Sequence, residues 1–310
     1  MQAMNLDIRP LRPGDEPVLQ SLLDAPELAA HYDSYQGEGG VARLLGDPYI
    51  PRAGVRLAFV EGAPVGFACA VLLPTERPWA MLRGGVLGTF QRRGIGQALF
   101  EQAETFVRSQ STVSGITELA VAGYEPLAAL RALAERRGYR HERWFWLMER
   151  PRGERMPKVT WPSGVSVRPL DGGAAMLADW NDAYNASFAG HYRFVPSPLD
   201  HVHELAAAPG FRNDGVLLAY RDGHVAGFCR SERHATRGEI ATVGTVPAAR
   251  GIGLGRALLR FGIDWLEREA SGPVTLLVDG ENEHALGLYR SEGFAVTRTR
   301  GIWSRSEAAR

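Results

Sequence analysis

Apolar and polar residues follow one another along this chain in patterns that predict mixed α/β structure. Residues 116–121 and 274–278 are short apolar runs rich in β-branched side chains, which favour strands. Residues 257–267 instead carry apolar side chains at the three-to-four-residue spacing of a helix with one buried face. Glu-Gly at 61–62 and Asp-Gly at 222–223 lie between apolar runs and predict tight hairpin turns. The fold class predicted is α/β, with a twisted, mostly antiparallel sheet flanked by helices.

The same pattern occurs twice along the chain. Five short segments recur at a spacing of 155 to 161 residues; for example, 94–99 (Gly-Ile-Gly-Gln-Ala-Leu) reappears at 253–258 as Gly-Leu-Gly-Arg-Ala-Leu. A near-constant spacing across several anchors indicates duplication. We therefore predict two tandem domains, residues 1–150 and 164–310, joined by a polar, proline-containing linker at 151–163.

The charge balance and composition of the chain argue against several classes of partner and site. The 310 residues include 35 basic and 35 acidic side chains, so neither nucleic acid nor an anionic membrane is an expected partner. The sequence shows no secretion signal and no apolar run of about 20 residues, which predicts a cytoplasmic protein without a membrane span. Cys69 and Cys229 are too far apart in sequence to predict a disulfide framework, and His201 and His203 have no third metal ligand nearby. A monomer and a homodimer both remain open.

A glycine-rich segment separates a predicted strand, which stops at Pro247, from the helix at 257–267. Glycines let backbone N–H groups converge on one point, and the positive end of the helix dipole favours an anion there. A phosphate-binding Walker loop would need Lys-Ser or Lys-Thr where Arg256 and Ala257 stand, and a dinucleotide fingerprint would need glycine at 256. The segment therefore predicts an anion site of a third kind, with Arg250 and Arg256 within reach of phosphate oxygens.

Residues 250–255, Arg-Gly-Ile-Gly-Leu-Gly, match the R/Q-x-x-G-x-G/A loop of the GNAT superfamily of N-acetyltransferases. Pro247 and the later segment N-x-x-A-x-x-L-Y-x-x-x-G-F at 282–294 strengthen the resemblance. It implies that the loop binds the pyrophosphate of acetyl-CoA and that the fourth and fifth strands splay to admit the pantetheine arm. The cofactor-binding residues that it implies in this half are Val243, Gly244, Thr245, Val246, Arg250, Gly251, Ile252, Gly253, Leu254, Gly255, Arg256 and Asn282.

The resemblance also implies proton-handling residues. In the mycothiol synthases, tandem GNAT enzymes that the C-terminal half resembles, a glutamate at the place of Glu239 is the proposed base. The family hydroxyl at the place of Tyr289 points at the CoA sulfur, which implies a general acid. The ordinary alternatives are an exposed acid at a strand end and a tyrosine at the core edge. Asn282 would contact pantetheine, and the role of helix N-cap is compatible with that contact.

The N-terminal copy keeps the loop but lacks these two groups. At the spacing of the repeat, the places of Glu239 and Tyr289 fall on Ala80 and Ala134. We therefore predict a non-catalytic N-terminal domain and a catalytic C-terminal one. The cofactor-binding residues predicted for the N-terminal loop are Gln91, Arg92, Arg93, Gly94, Ile95 and Gly96.

The acceptor is less well defined by the sequence. In GNAT domains the early helices and their loop build the acceptor pocket, so His191, Tyr192 and Arg193 are predicted to bind substrate, with a plain surface loop as the alternative. Residues 228–234 share only their first residue and final histidine with the mycothiol synthase pattern. The predicted reaction is direct transfer from acetyl-CoA to the primary amine of a small molecule. Another acyl-CoA donor, or CoA binding without turnover, are the alternatives.

Overall fold

The computed structural model describes residues 5–29, 35, 39–75, 77–126, 128–208, 210–234 and 236–307. The chain divides into two compact units. The first comprises Met1–Arg143 together with Arg300–Arg310, and the second comprises Trp144–Thr299.

The first unit contains most elements of the first repeat. Its elements in chain order are β1 (Leu6–Pro10), α1 (Glu16–Leu23), α2 (Pro26–Ala29), α3 (Gly40–Gly46), β2 (Arg56–Val60), β3 (Ala63–Leu73), β4 (Trp79–Val86), α4 (Ile95–Ser114), β5 (Glu118–Tyr124), α5 (Ala128–Arg136) and the start of β6 (Arg140–Arg150). The second unit continues from β6. Its further elements are β7 (Val165–Pro169), α6 (Ala174–Phe188), α7 (Leu199–Ala207), β8 (Val216–Arg221), β9 (His224–Arg233), β10 (Gly238–Thr245), α8 (Leu254–Glu269), β11 (Val274–Asp279), α9 (Glu283–Ser291) and the start of β12 (Ala295–Ser306).

Each unit holds a mixed, mostly antiparallel sheet, which confirms the predicted fold class. The strand order is β1-β2-β3-β4-β5-β12 in the first unit and β6-β11-β10-β9-β8-β7 in the second. Only β4 with β5 and β10 with β11 are parallel among the described pairs. The predicted hairpin turns also form, with Glu61 and Asp222 at φ 49° and 51°, followed by glycines at 80° and 79°.

The final strand of each repeat belongs to the other unit. Residues 145–150 of β6 pair with β11, and residues 300–306 of β12 pair with β5. The predicted domains, 1–150 and 164–310, were contiguous segments, whereas the compact units exchange these strands. Both final strands carry the same kind of apolar pattern, so the pattern alone does not determine which sheet each one joins.

Helices cover both faces of the sheet in the second unit. One core lies under α8 and α9 and includes Ile240, Leu258 and Leu276, while the other lies under α6 and includes Trp180 and Phe228. The segment predicted as a linker is fastened to this unit. The N–H of Gly153 donates to Glu267 at 3.1 Å, the carbonyl of Glu154 accepts a hydrogen bond of 2.6 Å from Arg150, and Met156 and Trp161 pack against the α8 core.

Candidate active site

The glycine segment forms the turn that the sequence predicts. Gly251 and Gly253 have φ values of 80° and 86°, and Gly253 immediately precedes α8, which begins at Leu254. The backbone N–H groups of 251–256 donate to no acceptor among the described residues. A Cβ added at Gly251 or Gly253 would meet no atom within 4 Å. The turn therefore presents a group of backbone donors at the positive end of a 16-residue helix. This arrangement suits a phosphate or diphosphate.

Next to this turn, β10 and β11 separate. They pair only at Gly238 with Val274 and at Glu239 with Thr275. Beyond those pairs, the edge of β10 that faces β11 keeps backbone groups that the β9 ladder does not use. Leu277 on β11 is 40% exposed at this opening. The opening suits an extended chain with amide groups and an apolar end, because strand-edge amides bind the former and exposed apolar side chains contact the latter.

A β-bulge lies beside the opening. The register between β9 and β10 shifts between Ile240 and Thr242, so Ala241 is one extra residue on β10. A bulge locally bends a strand and frees backbone groups from the ladder. The bulge and the short β10–β11 pairing thus occur at the same place and both favour separation of the strands.

Glu239 stands at the start of β10, with its carboxylate held by two donors. Its Oε2 lies 2.8 Å from His234 Nε2 and accepts a hydrogen bond of 3.0 Å from Arg237 Nη2. Burial raises the pKa of Glu239, but the hydrogen bond from His234 and the charge of Arg237 outweigh burial and hold that pKa below its ordinary value. At neutral pH the side chain is therefore a carboxylate that can accept a proton.

Tyr289 lies on α9 and packs at the edge of the α8 core. Burial, with a smaller contribution from nearby Cys229, raises the pKa of Tyr289 to about 12. The hydroxyl therefore keeps its proton at neutral pH and can donate it. Asn282 caps the same helix: its Oδ1 accepts a hydrogen bond of 3.1 Å from the N–H of Ala285, so the N-cap role is confirmed.

Glu239 and Tyr289 approach β10 from opposite faces. Ile240 packs in the α8 core with Tyr289, and because successive side chains on a strand alternate, Glu239 points to the other face. The gap between β10 and β11 is the route that connects the two faces. An acyl chain passing through it would have the carboxylate on one side and the phenol on the other.

The two arginines beside the turn already have partners. The Arg250 guanidinium donates to the backbone carbonyls of Ser187 at 3.1 Å and Thr245 at 3.4 Å. Arg256 bonds to the buried carboxylate of Glu292, which Arg260 also holds at 2.7 Å. This bond joins α8 to the end of α9, while the Arg256 side chain remains 42% exposed, so its predicted contact with a phosphate stays a prediction.

The three predicted acceptor residues lie together on the Glu239 face. Tyr192 packs against Phe145 of β6 with ring centroids 5.8 Å apart, and its hydroxyl accepts a hydrogen bond of 2.8 Å from Arg193. His191 packs edge-on against Phe188 at 4.6 Å. Partial burial and the charge of Arg250 lower the pKa of His191. The loop thus supplies aromatic and polar groups beside the sheet.

The first unit repeats the turn. Gly94 has a φ of 83°, and Gln91 donates to the carbonyl of Val86 at 3.0 Å as Arg250 does to Thr245. A non-glycine residue, Arg92, occupies the left-handed conformation at φ 58°, where the second unit has glycine. The predicted loop residues of this unit therefore share the backbone arrangement of 250–255.

The opening is shorter in the first unit, because β4 and β5 stay paired as far as Leu82 and Val121. β4 and β5 pair at four positions instead of two, and β4 pairs with β3 without a bulge. Because β10 carries the extra residue, strand register matches Glu239 with Met81 and not with Ala80, the residue that constant spacing predicted. Met81 and Ala134 are both buried and apolar. The correction leaves the first unit without a carboxylate or a phenol at these places.

Sequence reasoning did not identify three residues beside the site. His234 and Arg237 bind Glu239, and they lie five and two residues before it, respectively, around the β9–β10 turn. Ser187 on α6 is buried with no partner for its hydroxyl among the described residues, and a Cβ at Gly244 would lie 2.8 Å from its Cβ. For His234 and Arg237, the sequence did offer a signal: a histidine and an arginine flank a hairpin turn close to an acidic residue.

Known proteins resemble this chain over most of its length. The model of the acetyltransferase (GNAT) family matches residues 22–139 and 175–294. Proteins named mycothiol acetyltransferase are similar: that of Thermomonospora curvata is 34% identical over 206 residues, 66% of each chain, and that of Salinispora arenicola is 32% identical over 260 residues, 81% of each chain.

Solved structures share the fold. A GCN5-related N-acetyltransferase from Sphaerobacter thermophilus superposes with a TM-score of 0.74 at 24% identity, covering 97% of this chain and 95% of that one. A tandem GNAT protein from the clavulanic acid biosynthesis pathway gives 0.71 at 18% identity, covering 99% and 100%. The fold and the site define an N-acetyltransferase of the class that uses acyl-CoA. The chain belongs to the GNAT family, with two GNAT domains in tandem.

Other kinds of site find no support in the part of the chain that the structure describes. No helix there is both long and apolar enough to cross a membrane. No group of three His, Cys, Asp or Glu side chains among those residues is placed to hold a metal ion. His201 and His203, the pair closest in sequence, lie on α7 outside any such group.

Proposed function

We propose that the protein transfers an acetyl group from acetyl-CoA to the primary amine of a small molecule, directly within a ternary complex, and that the second unit performs the reaction. The observation that carries this proposal is the opening between β10 and β11. It begins beside the glycine turn and has Glu239 on one face and Tyr289 on the other. The first unit has the turn but a shorter opening, with apolar Met81 and Ala134 at the places of Glu239 and Tyr289, which supports a non-catalytic role for it.

In the proposed reaction, groups around the opening bind the donor, deprotonate the acceptor and stabilise the intermediate. The glycine turn holds the diphosphate of the donor, and backbone groups along the edge of β10 and directly after it, including those of 243–246, hold the pantetheine amides. Glu239 accepts a proton from the acceptor ammonium, either directly or through a water, which leaves a nucleophilic amine. The amine attacks the thioester carbonyl, and backbone N–H groups of β10 stabilise the oxyanion that forms.

Tyr289 completes the reaction on the opposite face. When the tetrahedral intermediate collapses, the carbon–sulfur bond breaks and the electron pair leaves on sulfur. The Tyr289 hydroxyl, which keeps its proton because its pKa is about 12, donates to the departing thiolate. The nitrogen, which still carries an extra proton after the attack, loses it to the Tyr289 phenolate directly or through water, so that free CoA, the neutral amide and the Tyr289 hydroxyl result.

An amine panel tests the proposed reaction. Purified protein is mixed with acetyl-CoA and single amines, including the deacetylated form of mycothiol because similar proteins are named for acetylating mycothiol. Release of free thiol and formation of the amide by mass spectrometry are followed together. We expect amine-dependent thiol release with acetyl-CoA. Propionyl-CoA and butyryl-CoA arms test the alternative donors, and binding of CoA without turnover of any amine would support the non-catalytic alternative.

Replacing Tyr289 with phenylalanine removes the proton donor and little else. We expect kcat to fall about 10- to 100-fold, since a positioned acid contributes that much or more, with the Kd for CoA changed less than about twofold. Steady-state kinetics and calorimetric CoA binding measure the two quantities. Tyr220→Phe is the matched control, because Tyr220 bonds to Asp179 at 2.9 Å away from the opening. An unchanged kcat in Tyr289→Phe would remove the acid role.

A further inference from the structure

The two oxygens of the Glu239 carboxylate have different surroundings. Oε2 is shared by His234 Nε2 at 2.8 Å and Arg237 Nη2 at 3.0 Å, whereas Oε1 receives no hydrogen bond from the described residues. The three side chains are 28%, 23% and 17% exposed for Glu239, His234 and Arg237 respectively. They are therefore shielded enough for the contacts to act strongly while one oxygen stays available.

The β9–β10 turn fixes the two donors. The N–H of His234 bonds to the carbonyl of Arg237 at 2.9 Å, which closes the turn immediately before β10. Arg237 also donates to Thr275 Oγ1 of β11 at 3.2 Å. Both donors are thus anchored independently of Glu239, and a substrate in the opening would meet a carboxylate whose rotation is already restricted.

Charges on the neighbouring strands balance around the carboxylate. Glu232 of β9 lies directly across from Glu239, a like-charge pairing that would disfavour ionisation. Arg230 holds Glu232 at 2.5 Å, and Thr275 faces Glu239 from β11 without charge. His234 and Arg237 are therefore the groups that compensate Glu239 itself.

We propose that His234 and Arg237 are positioning residues for deprotonation of the acceptor: they hold Oε2 of Glu239 and direct Oε1 to the acceptor nitrogen. This inference rests on the proposed function. In the step, an N–H bond of the ammonium breaks and an O–H bond forms at Oε1. The electron pair stays on nitrogen, which then attacks the thioester carbon. No oxidant or further reactant is needed.

The proposal fixes the direction of a pH effect. Burial raises the pKa of Glu239, and His234 and Arg237 bring it below its ordinary value. A reaction that requires the carboxylate is supported above that pKa and lost as the pH falls through it. When one donor is removed, the pKa of Glu239 rises, because burial is then opposed by only one partner. The acidic limb of the kcat/KM profile therefore moves to higher pH.

The test compares His234→Ala with His234→Gln. His234→Ala is expected to lower kcat about tenfold or more, leave KM for acetyl-CoA within about twofold, and move the acidic limb upward by about one pH unit. Glutamine keeps a side-chain N–H donor, so His234→Gln is expected to recover most of kcat and the position of the limb. His224→Ala, an exposed histidine at the other end of β9, is the control with unchanged kinetics.

The outcomes separate this inference from the proposed function. Should the wild-type protein acetylate no amine, the proposed function fails, and the positioning role, which rests on it, fails with it. Should the wild type turn over and Glu239→Gln be impaired while His234→Ala and the His234→Ala/Arg237→Ala double variant keep wild-type kcat and pH limb, the positioning role is overturned. A uniform loss of activity at all pH values without a shift, unrelieved in His234→Gln, also overturns it, because a structural role alone gives that result.

Discussion

Replacing Glu239 with glutamine is expected to lower kcat about 100- to 1000-fold at neutral pH. The amide keeps the shape of the side chain and a polar contact with Arg237, but it no longer accepts the proton of the ammonium. Stopped assays of thiol release at saturating acetyl-CoA measure the change. The Kd for CoA is expected to stay within about twofold, because the glycine turn and not Glu239 binds the diphosphate.

A control variant, a contrary result and the pH dependence test the expected effect of Glu239→Gln. Asp264→Asn on the exposed side of α8 removes a mostly exposed pair with Arg268, worth about 0.5 kcal/mol, and should leave kcat unchanged. If Glu239→Gln also keeps kcat within about threefold of the wild type, the amine loses its proton elsewhere. The loss should shrink as the pH rises toward the pKa of the free amine, since more of the acceptor is then already deprotonated.

Replacing Gly253 with valine is expected to weaken CoA binding at the second unit at least about 100-fold. Gly253 has a φ of 86°, which a β-branched residue rarely adopts, so the turn would rearrange at a cost of about 1–2 kcal/mol or more and its N–H groups would diverge. A side chain there would also stand where the diphosphate approaches. Calorimetric titration with CoA and turnover kinetics measure the effect, and thermal unfolding checks that the variant folds.

The first unit offers a matched control. Gly94 has nearly the same φ, 83°, at the same place before α4. Gly94→Val is therefore expected to impose the same local strain but to spare turnover, because the unit lacks the proton-handling residues. If Gly94→Val abolishes turnover while Gly253→Val preserves it, the proposed division between the units is wrong.

Features governed by local rules were predictable from the sequence. The turn at 250–255, the hairpins at 61–62 and 222–223 and the N-cap Asn282 each depend on a few consecutive residues. The fold class was predictable because duplicated hydrophobic patterns determine the order of strands and helices. The GNAT resemblance led to Glu239 and Tyr289, and the surroundings of both residues support their proposed roles.

Features that depend on pairing across the sequence were not predictable. The exchange of final strands between units leaves the hydrophobic pattern unchanged, so periodicity does not reveal it. The bulge at Ala241 adds one residue, which shifted the counterpart of Glu239 from Ala80 to Met81. The sequence also did not show that Arg256, a predicted phosphate ligand, bonds to Glu292. A charge in sequence does not show which opposite charge it meets after folding.

A crystal structure of the protein with acetyl-CoA tests the central claim most directly. The account predicts the diphosphate on the N–H groups of 251–256 and the pantetheine along β10. It also predicts the sulfur in the opening, within hydrogen-bond reach of the Tyr289 hydroxyl, with the acetyl carbonyl on the side of Glu239. A ligand whose diphosphate avoids that turn, or whose sulfur lies out of reach of Tyr289 because β10 and β11 do not admit it, would contradict the account.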